Sequence, residues 1–151
     1  MLDNITKRRI DDCRDILVGK LPDPKSQIEQ ITIGLIYKFM DDMDKEAIEL
    51  VLKTLVDTIH ASIRQEDYLI RWGGEEFIIL MKIDTLNSLE KRIEYIRKQI
   101  EKQYFDEVAN ITASFGVTVY RENEAVVESI ERADKALYAA KQNGRNRTRI
   151  F

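Results

Sequence analysis

The chain has 151 residues, with 27 acidic and 24 basic side chains for a net charge of −3, 44% apolar residues and 34% charged ones. That is the balance of one soluble globular domain, long enough to bury a core without a disulfide or a structural metal. One cysteine, Cys13, excludes an internal disulfide, no apolar run approaches the roughly 20 residues of a membrane span, and the charge gives no bulk attraction to nucleic acid or an anionic membrane, so a cytoplasmic location is expected, with no nucleic-acid or membrane partner. In chain order, Ile10, Cys13, Ile16 and Leu17 recur at helical spacing, and Pro22-Asp23-Pro24 separates them from the rest of the chain. The expected organisation is a helical segment and linker over 1–27 and one domain over 28–151. Ile28 to Phe39, rich in β-branched and aromatic residues, predicts a buried strand. Ile48, Val51, Leu52, Leu55, Ile59 and Ile63 predict an amphipathic helix from about Lys45 to Ile63. His60, on the edge of that stripe with no cysteine or second histidine near it, reads as a half-buried helix residue and not a ligand. Tyr68 to Trp72 and Glu75 to Met81 form two β-rich runs around Gly73-Gly74, the chemistry of a tight hairpin. Leu86, Leu89, Ile93, Ile96 and Ile100 mark a second helix, Asn110 to Tyr120 a strand, and Val127, Ile130, Ala133, Leu137 and Ala140 a third helix ending at Gly144. Thr148 to Phe151 reads as a short last strand. The order from Ile28 to Tyr120 is that of an α+β fold with a ferredoxin-like βαββαβ sheet and helices on one face.

Three places carry candidate chemistry. At the hairpin, Gly73-Gly74 leaves bare backbone immediately before Glu75 and Glu76. This pattern is either an ordinary turn with solvated glutamates or a phosphate seat with a carboxylate for Mg²⁺. Lys141 and Arg145, one helical turn apart, either complement a helix C-terminus or grip an anion. Arg64 and Asp67, between the first long helix and the hairpin, either close a helix and open a turn or bind a ligand.

Taken together, Arg71-Trp-Gly-Gly-Glu-Glu-Phe77 resembles the signature of the GGDEF family, the diguanylate cyclases, in its glutamate form. Ile111-Thr-Ala-Ser-Phe-Gly116 resembles the family's Thr-x-Ser-x-Gly strand, and residues 133–146 resemble its C-terminal helix motif. The resemblance covers about Ile28 to Phe151. It implies a fold related to nucleotide cyclase catalytic domains, a bacterial signalling role, and a nucleotidyl transfer that joins two GTP into cyclic di-GMP with release of pyrophosphate. It further implies that Gly73 and Gly74 lie against GTP phosphates, that Glu75 and Glu76 belong to the catalytic hairpin with Glu75 as a ligand of Mg²⁺ or Mn²⁺, and that Lys141 and Arg145 hold the triphosphate. Arg64 and Asp67 match the family's inhibitory RxxD site for cyclic di-GMP, with Arg97 as the second-helix contributor. Catalysis implies a homodimer, and family members often carry a fused sensor or phosphodiesterase domain.

The first strand departs from the family pattern. Counting back from the hairpin without gaps puts Thr32 at the metal-binding aspartate, Met40 at the guanine-reading asparagine and Glu49 at the guanine-reading aspartate. A shift by one puts Ile33 and Asp41 at the first two. Neither register supplies the strand carboxylate. The opening Asp3 to Arg9 resembles a shortened form of the family's usual leader into the domain. Two readings remain: a cyclase of weak activity, or a degenerate GGDEF domain that acts as a regulatory module binding GTP or cyclic di-GMP.

Overall fold

The computed structural model describes residues 31–37, 45–106 and 108–151; the expected helix before Pro22, residues 28–30 and 38–39 of the expected first strand, and Met40 and Asp41 lie outside them. The β-branched segment Ile31–Tyr37 forms strand β1, and helix α1 covers Lys45–His60. The helix stops before the expected Ile63. Its last turns have hydroxyls bonded to their own backbone, Thr58 Oγ1 to Thr54 O and Ser62 Oγ to Thr58 O, an alternative to continued helix that serine and threonine offer.

Strands β2 (Tyr68–Gly73) and β3 (Glu76–Lys82) form the hairpin. Gly73 pairs with Glu76 after an irregularity between Arg71 and Gly73. The connecting residues are therefore Gly74 and Glu75, not the two glycines, because of the two glycines only Gly74 has a left-handed backbone, φ +48. Helix α2 (Leu86–Lys102) starts at Thr85, whose side chain accepts from Ser88 N as an N-cap should. The expected strand from Asn110 is split. A two-stranded ribbon, β4 (Tyr104–Phe105) with β5 (Ala109–Asn110), precedes β6 (Ser114–Val119). Helix α3 is Val126–Gln142 and β7 is Thr148–Ile150.

The main sheet has the order β2-β3-β1-β6-β7. β1 runs antiparallel to both β3 and β6, while β7 joins β6 in parallel. This is the ferredoxin-like α+β arrangement with one added edge strand.

Alternation along β3 divides the core. Phe77, Ile79 and Met81 pack with Val51, Leu55 and Ile59 of α1 and Leu89, Ile93 and Ile96 of α2. Ile78 and Leu80 pack with Val126, Ala133 and Leu137 of α3. The sheet is thus covered on both faces, α1 and α2 on one and α3 on the other, which explains why β3 is a continuous apolar run instead of an alternating one. Gly116 of β6 allows α3 to come close: a Cβ there would stand 2.1 Å from Ala133 O and 2.3 Å from Leu137 N. No helix among the described residues is long and apolar enough to cross a membrane.

Candidate functional site

The hairpin end of the sheet and the C-terminal end of α3 meet. At Gly74 an added Cβ would find nothing within 4 Å among the described residues, so the glycine answers to its φ and to the open space beside the backbone, not to packing. Arg71 braces this turn. Its Nε donates to Gly74 O at 2.9 Å, and its Nη1 stands 3.8 Å from Glu49 Oε1 on α1, which brings Glu49 beside the hairpin.

Lys141 sits in the last turn of α3 within the fields of both hairpin glutamates. Burial holds its pKa below the ordinary lysine value. Glu76, Asp134 and Glu75 pull the other way, and the neighbouring Arg145 cation adds to the lowering. Asp134 lies seven residues before Lys141, on nearly the same helix face. The hairpin pair Glu75 and Glu76 and the cation pair Lys141 and Arg145 thus form one polar cluster at the mouth of the sheet.

Helix α3 ends in an unusual way. Gly144, Arg145 and Asn146 have φ of +108, +57 and +45, and Arg145 N donates to Ala140 O at 3.1 Å, a Schellman-type closure. The run carries Arg145 past the helix end, and the chain then enters β7.

The β1 register corrects both alignments. Thr32 pairs with Met81 and Ile33 with Leu80, whereas Ile36 pairs with Phe77, next to the hairpin. Thr32 is four strand positions, about 13 Å, short of the level at which a residue can share an ion with Glu75. The loop between β1 and α1 is therefore shorter than an ungapped count assumes, and positions 36 and 37, isoleucine and tyrosine, occupy the hairpin's level. Among the described residues no three acidic, histidine or cysteine side chains gather as a metal site. Mg²⁺ keeps several waters and is held by one or two carboxylates together with substrate phosphates, so Glu75 and Glu76 are the residues among those described that would hold it, with the phosphates of a bound nucleotide completing the set.

The second cluster lies at the start of β2. Arg64 N donates to Asp67 Oδ2 at 2.7 Å, and the Arg64 guanidinium, about half exposed, stands 3.7 Å from Glu66. The Asp67 side chain is fully buried, with Arg92 Nη2 donating to Oδ2 and Oδ1 lacking a hydrogen-bond partner among the described residues. Arg92 is fixed by a further bond from Nη1 to Lys82 O at 3.0 Å. The second-helix arginine at this cluster is Arg92, not Arg97. Five residues on a helix turn the side chain through about 140°, and Arg97 points to the far edge of the sheet. There it bonds Glu94, Glu101 and Asn146. Arg92 follows Leu89 by three positions and so flanks the apolar stripe, a signal the periodicity carries but does not distinguish from any boundary arginine.

A ferredoxin-like sheet with a Gly-Gly-Glu-Glu hairpin facing a Lys-x-x-x-Arg helix end defines the class of nucleotide-cyclase-like signalling domains. The family model described as "Diguanylate cyclase, GGDEF domain" matches residues 38–147, and the chain belongs to the GGDEF family. It is 37% identical over 113 residues to diguanylate cyclase DgcP of Pseudomonas aeruginosa, covering 73% of this chain and 17% of that protein. It is 35% identical over 127 residues to diguanylate cyclase A of Treponema denticola, covering 82% of this chain and 34% of that one. The chain thus spans about a third or less of the length of these relatives. Among solved structures, the GGDEF domain of DgcB from Caulobacter crescentus in complex with c-di-GMP superposes with a TM-score of 0.74 at 22% identity, over 95% of this chain and 86% of that one. The active GGEEF domain of a diguanylate cyclase from Vibrio cholerae does so at 0.71 and 24% identity, over 97% and 89%. The resemblance is to domains of cyclic di-GMP signalling.

Proposed function

We propose that this domain binds GTP with its triphosphate between the Gly74 turn and the Lys141/Arg145 end of α3, and that its diguanylate cyclase turnover is weak. The single observation that carries the binding reading is the gathering of Lys141 and Arg145 with Glu75 and Glu76 at one end of the sheet. Two cations at a helix end answer the charge of a triphosphate, and the open backbone at Gly74 admits phosphate oxygens at close range.

In the family reaction, two GTP-loaded subunits of a homodimer face each other so that each 3′-oxygen meets the other's α-phosphorus. In this chain Lys141 and Arg145 neutralise and orient the phosphates, and Glu75 faces the reacting end of the nucleotide. A divalent cation, Mg²⁺ or Mn²⁺, supplies charge neutralisation at the attacking and leaving oxygens when bound. With isoleucine and tyrosine at positions 36 and 37, β1 adds no carboxylate to hold it, which supports weak turnover. Incubating the purified chain with GTP and Mg²⁺ or Mn²⁺ and separating the nucleotides tests the reading. Bound GTP with little cyclic di-GMP is expected; turnover at the rate of an ordinary family member refutes the weak-cyclase reading, and failure to bind GTP refutes the site.

A second ligand is favoured by a separate observation, the buried, half-satisfied carboxylate of Asp67 beside the exposed Arg64. Cyclic di-GMP offers an O6/N7 edge and phosphates for the exposed guanidinium of Arg64, whose backbone N–H the buried Asp67 carboxylate holds in place. We assign product binding to Arg64 and Asp67, with Arg92 as the supporting arginine.

A further inference from the structure

Arg97 lies on α2, on the opposite face of the sheet from α3, yet its guanidinium reaches the end of α3. Nη1 donates to Asn146 Oδ1 at 2.6 Å. The fork itself is held on both sides: Nε and Nη2 donate to the two oxygens of Glu94 at 2.9 and 2.6 Å, and Nη1 donates to Glu101 Oε2 at 3.0 Å. Asn146 is gripped at two more points, its Nδ2 donating to Glu101 Oε1 at 2.7 Å and its backbone N–H to Ser114 Oγ at 3.1 Å. Every polar atom of the asparagine side chain is thereby used, by groups that belong to α2.

What this clasp holds is the left-handed run of Arg145 and Asn146, with φ of +57 and +45. L residues with a Cβ avoid that region unless the surroundings impose it, and asparagine tolerates it better than arginine. A backbone kept there by its neighbours determines where the Arg145 side chain starts. If residues 145 and 146 relax to the ordinary helical or extended regions, the Cα–Cβ vector of Arg145 swings away from the helix end that carries Lys141.

We propose that Arg97 is a positioning residue for nucleotide binding: acting through Asn146, it fixes the left-handed turn that aims Arg145 at the triphosphate. This rests on the reading of Arg145 as a phosphate grip. It removes Arg97 from the inhibitory cluster and gives it a role at the substrate site, on the other side of the sheet.

A double-mutant cycle separates positioning from general stability. The probe is 3′-deoxy-GTP, which binds without being able to react, measured by calorimetry well below the melting temperature. Arg97→Gln is expected to weaken binding about tenfold in the parent, yet less than twofold when Arg145 is already alanine. Asn146→Gly, which accepts the left-handed backbone without the side-chain clasp, is expected to weaken it severalfold and likewise to lose that effect in the Arg145→Ala background. Because it relieves strain, it tests the idea even if Arg97→Gln does not fold. Unchanged affinity in both variants, or equal losses with and without Arg145, overturns the proposal. If Arg145→Ala alone binds the probe as the parent does, the phosphate-grip reading has failed, and the positioning role falls with it.

Discussion

Thr32 stands directly across the sheet from Met81, four positions up β1 from the residue that faces Phe77 beside the hairpin. An aspartate placed at 32 therefore cannot reach an ion shared with Glu75. Thr32→Asp and Ile33→Asp are expected to leave cyclic di-GMP formation unchanged. Of Ile36→Asp and Tyr37→Asp, one is expected to raise it and the other not, since adjacent strand positions project to opposite faces. Nucleotide separation after incubation with GTP and Mg²⁺ reads the result, and a gain at position 32 would mean that the sheet has a different register.

Lys141 is expected to trade stability against binding. Lys141→Met should weaken GTP by about 1.5–3 kcal/mol through loss of a charge-assisted contact, while leaving the nucleotide-free protein at least as stable as the parent near neutral pH. The sign follows from the lowered pKa. Below the folded value both states carry the proton and the folded state bears the penalty of a half-buried cation. Between the folded value and the ordinary 10.5 the unfolded chain holds the extra proton, so parent stability rises with pH. Melting curves of parent and variant should converge as pH approaches that of free lysine; a variant less stable at neutral pH would show that the hairpin carboxylates dominate.

Arg64 and Asp67 should separate cleanly in one assay. Arg64→Ala, at an exposed side chain, is expected to abolish or strongly weaken cyclic di-GMP binding with little change in melting temperature. Asp67→Ala is expected to cost about 3 kcal/mol of stability as well, because it leaves Arg92 desolvated without its carboxylate. Calorimetry with cyclic di-GMP together with thermal melts decides this; full affinity in Arg64→Ala removes the assignment.

Discrimination of the base should be poor. Glu49 stands beside the hairpin but shares its carboxylate with Arg71, which leaves it a weaker acceptor for the guanine edge. ATP is expected to compete with GTP within about tenfold, or 1.4 kcal/mol. A much stronger preference for GTP would place a polar reader, with Asp41 the nearest candidate, at the base.

The clasp on α2 gives the protein an acid limb. Glu94 has its pKa lowered chiefly by its hydrogen bond from Arg97, and Glu101 by those from Asn146 and Arg97. Lowered carboxylates contribute stability that is complete above their ordinary value near 4.5 and is lost as pH falls through the folded values. Glu94→Gln should therefore be less stable than the parent at pH 7, with the difference shrinking as pH falls below 4.5, as read by urea midpoints.

Much of this architecture is legible in the sequence. The three helices follow from apolar spacing, and the hairpin from two glycines between β-rich runs. Other features carry no such signal. β4 and β5 have two residues each, too few for a period to register. β1 is β-branched along much of its length, so nothing in it marks one register over another, and a count from the hairpin puts Thr32 at the level that the pairing gives to Ile36. Arg92 and Arg97 are both arginines beside the stripe of one helix, and only their rotation about its axis sends one to Asp67 and the other to Asn146. The Lys141/Arg145 cluster is legible because its residues form motifs; Asn146, which is bonded to Arg97 and Glu101, belongs to the same motif but has no charge to draw notice.

The close seating of α3 on Gly116 has a consequence for how the domain tolerates change. Where the helix comes nearest the sheet, backbone meets backbone, so no rotamer adjustment is available there to absorb an error. Lys141 lies one turn beyond Leu137, on the same rigid rod. Even a single methyl at position 116 would lift that rod and carry the cation away from the hairpin, so a buried position outside the hairpin sets the spacing of the proposed nucleotide site. The converse also holds: side chains at the mouth of the sheet can be replaced without disturbing the frame that spaces them.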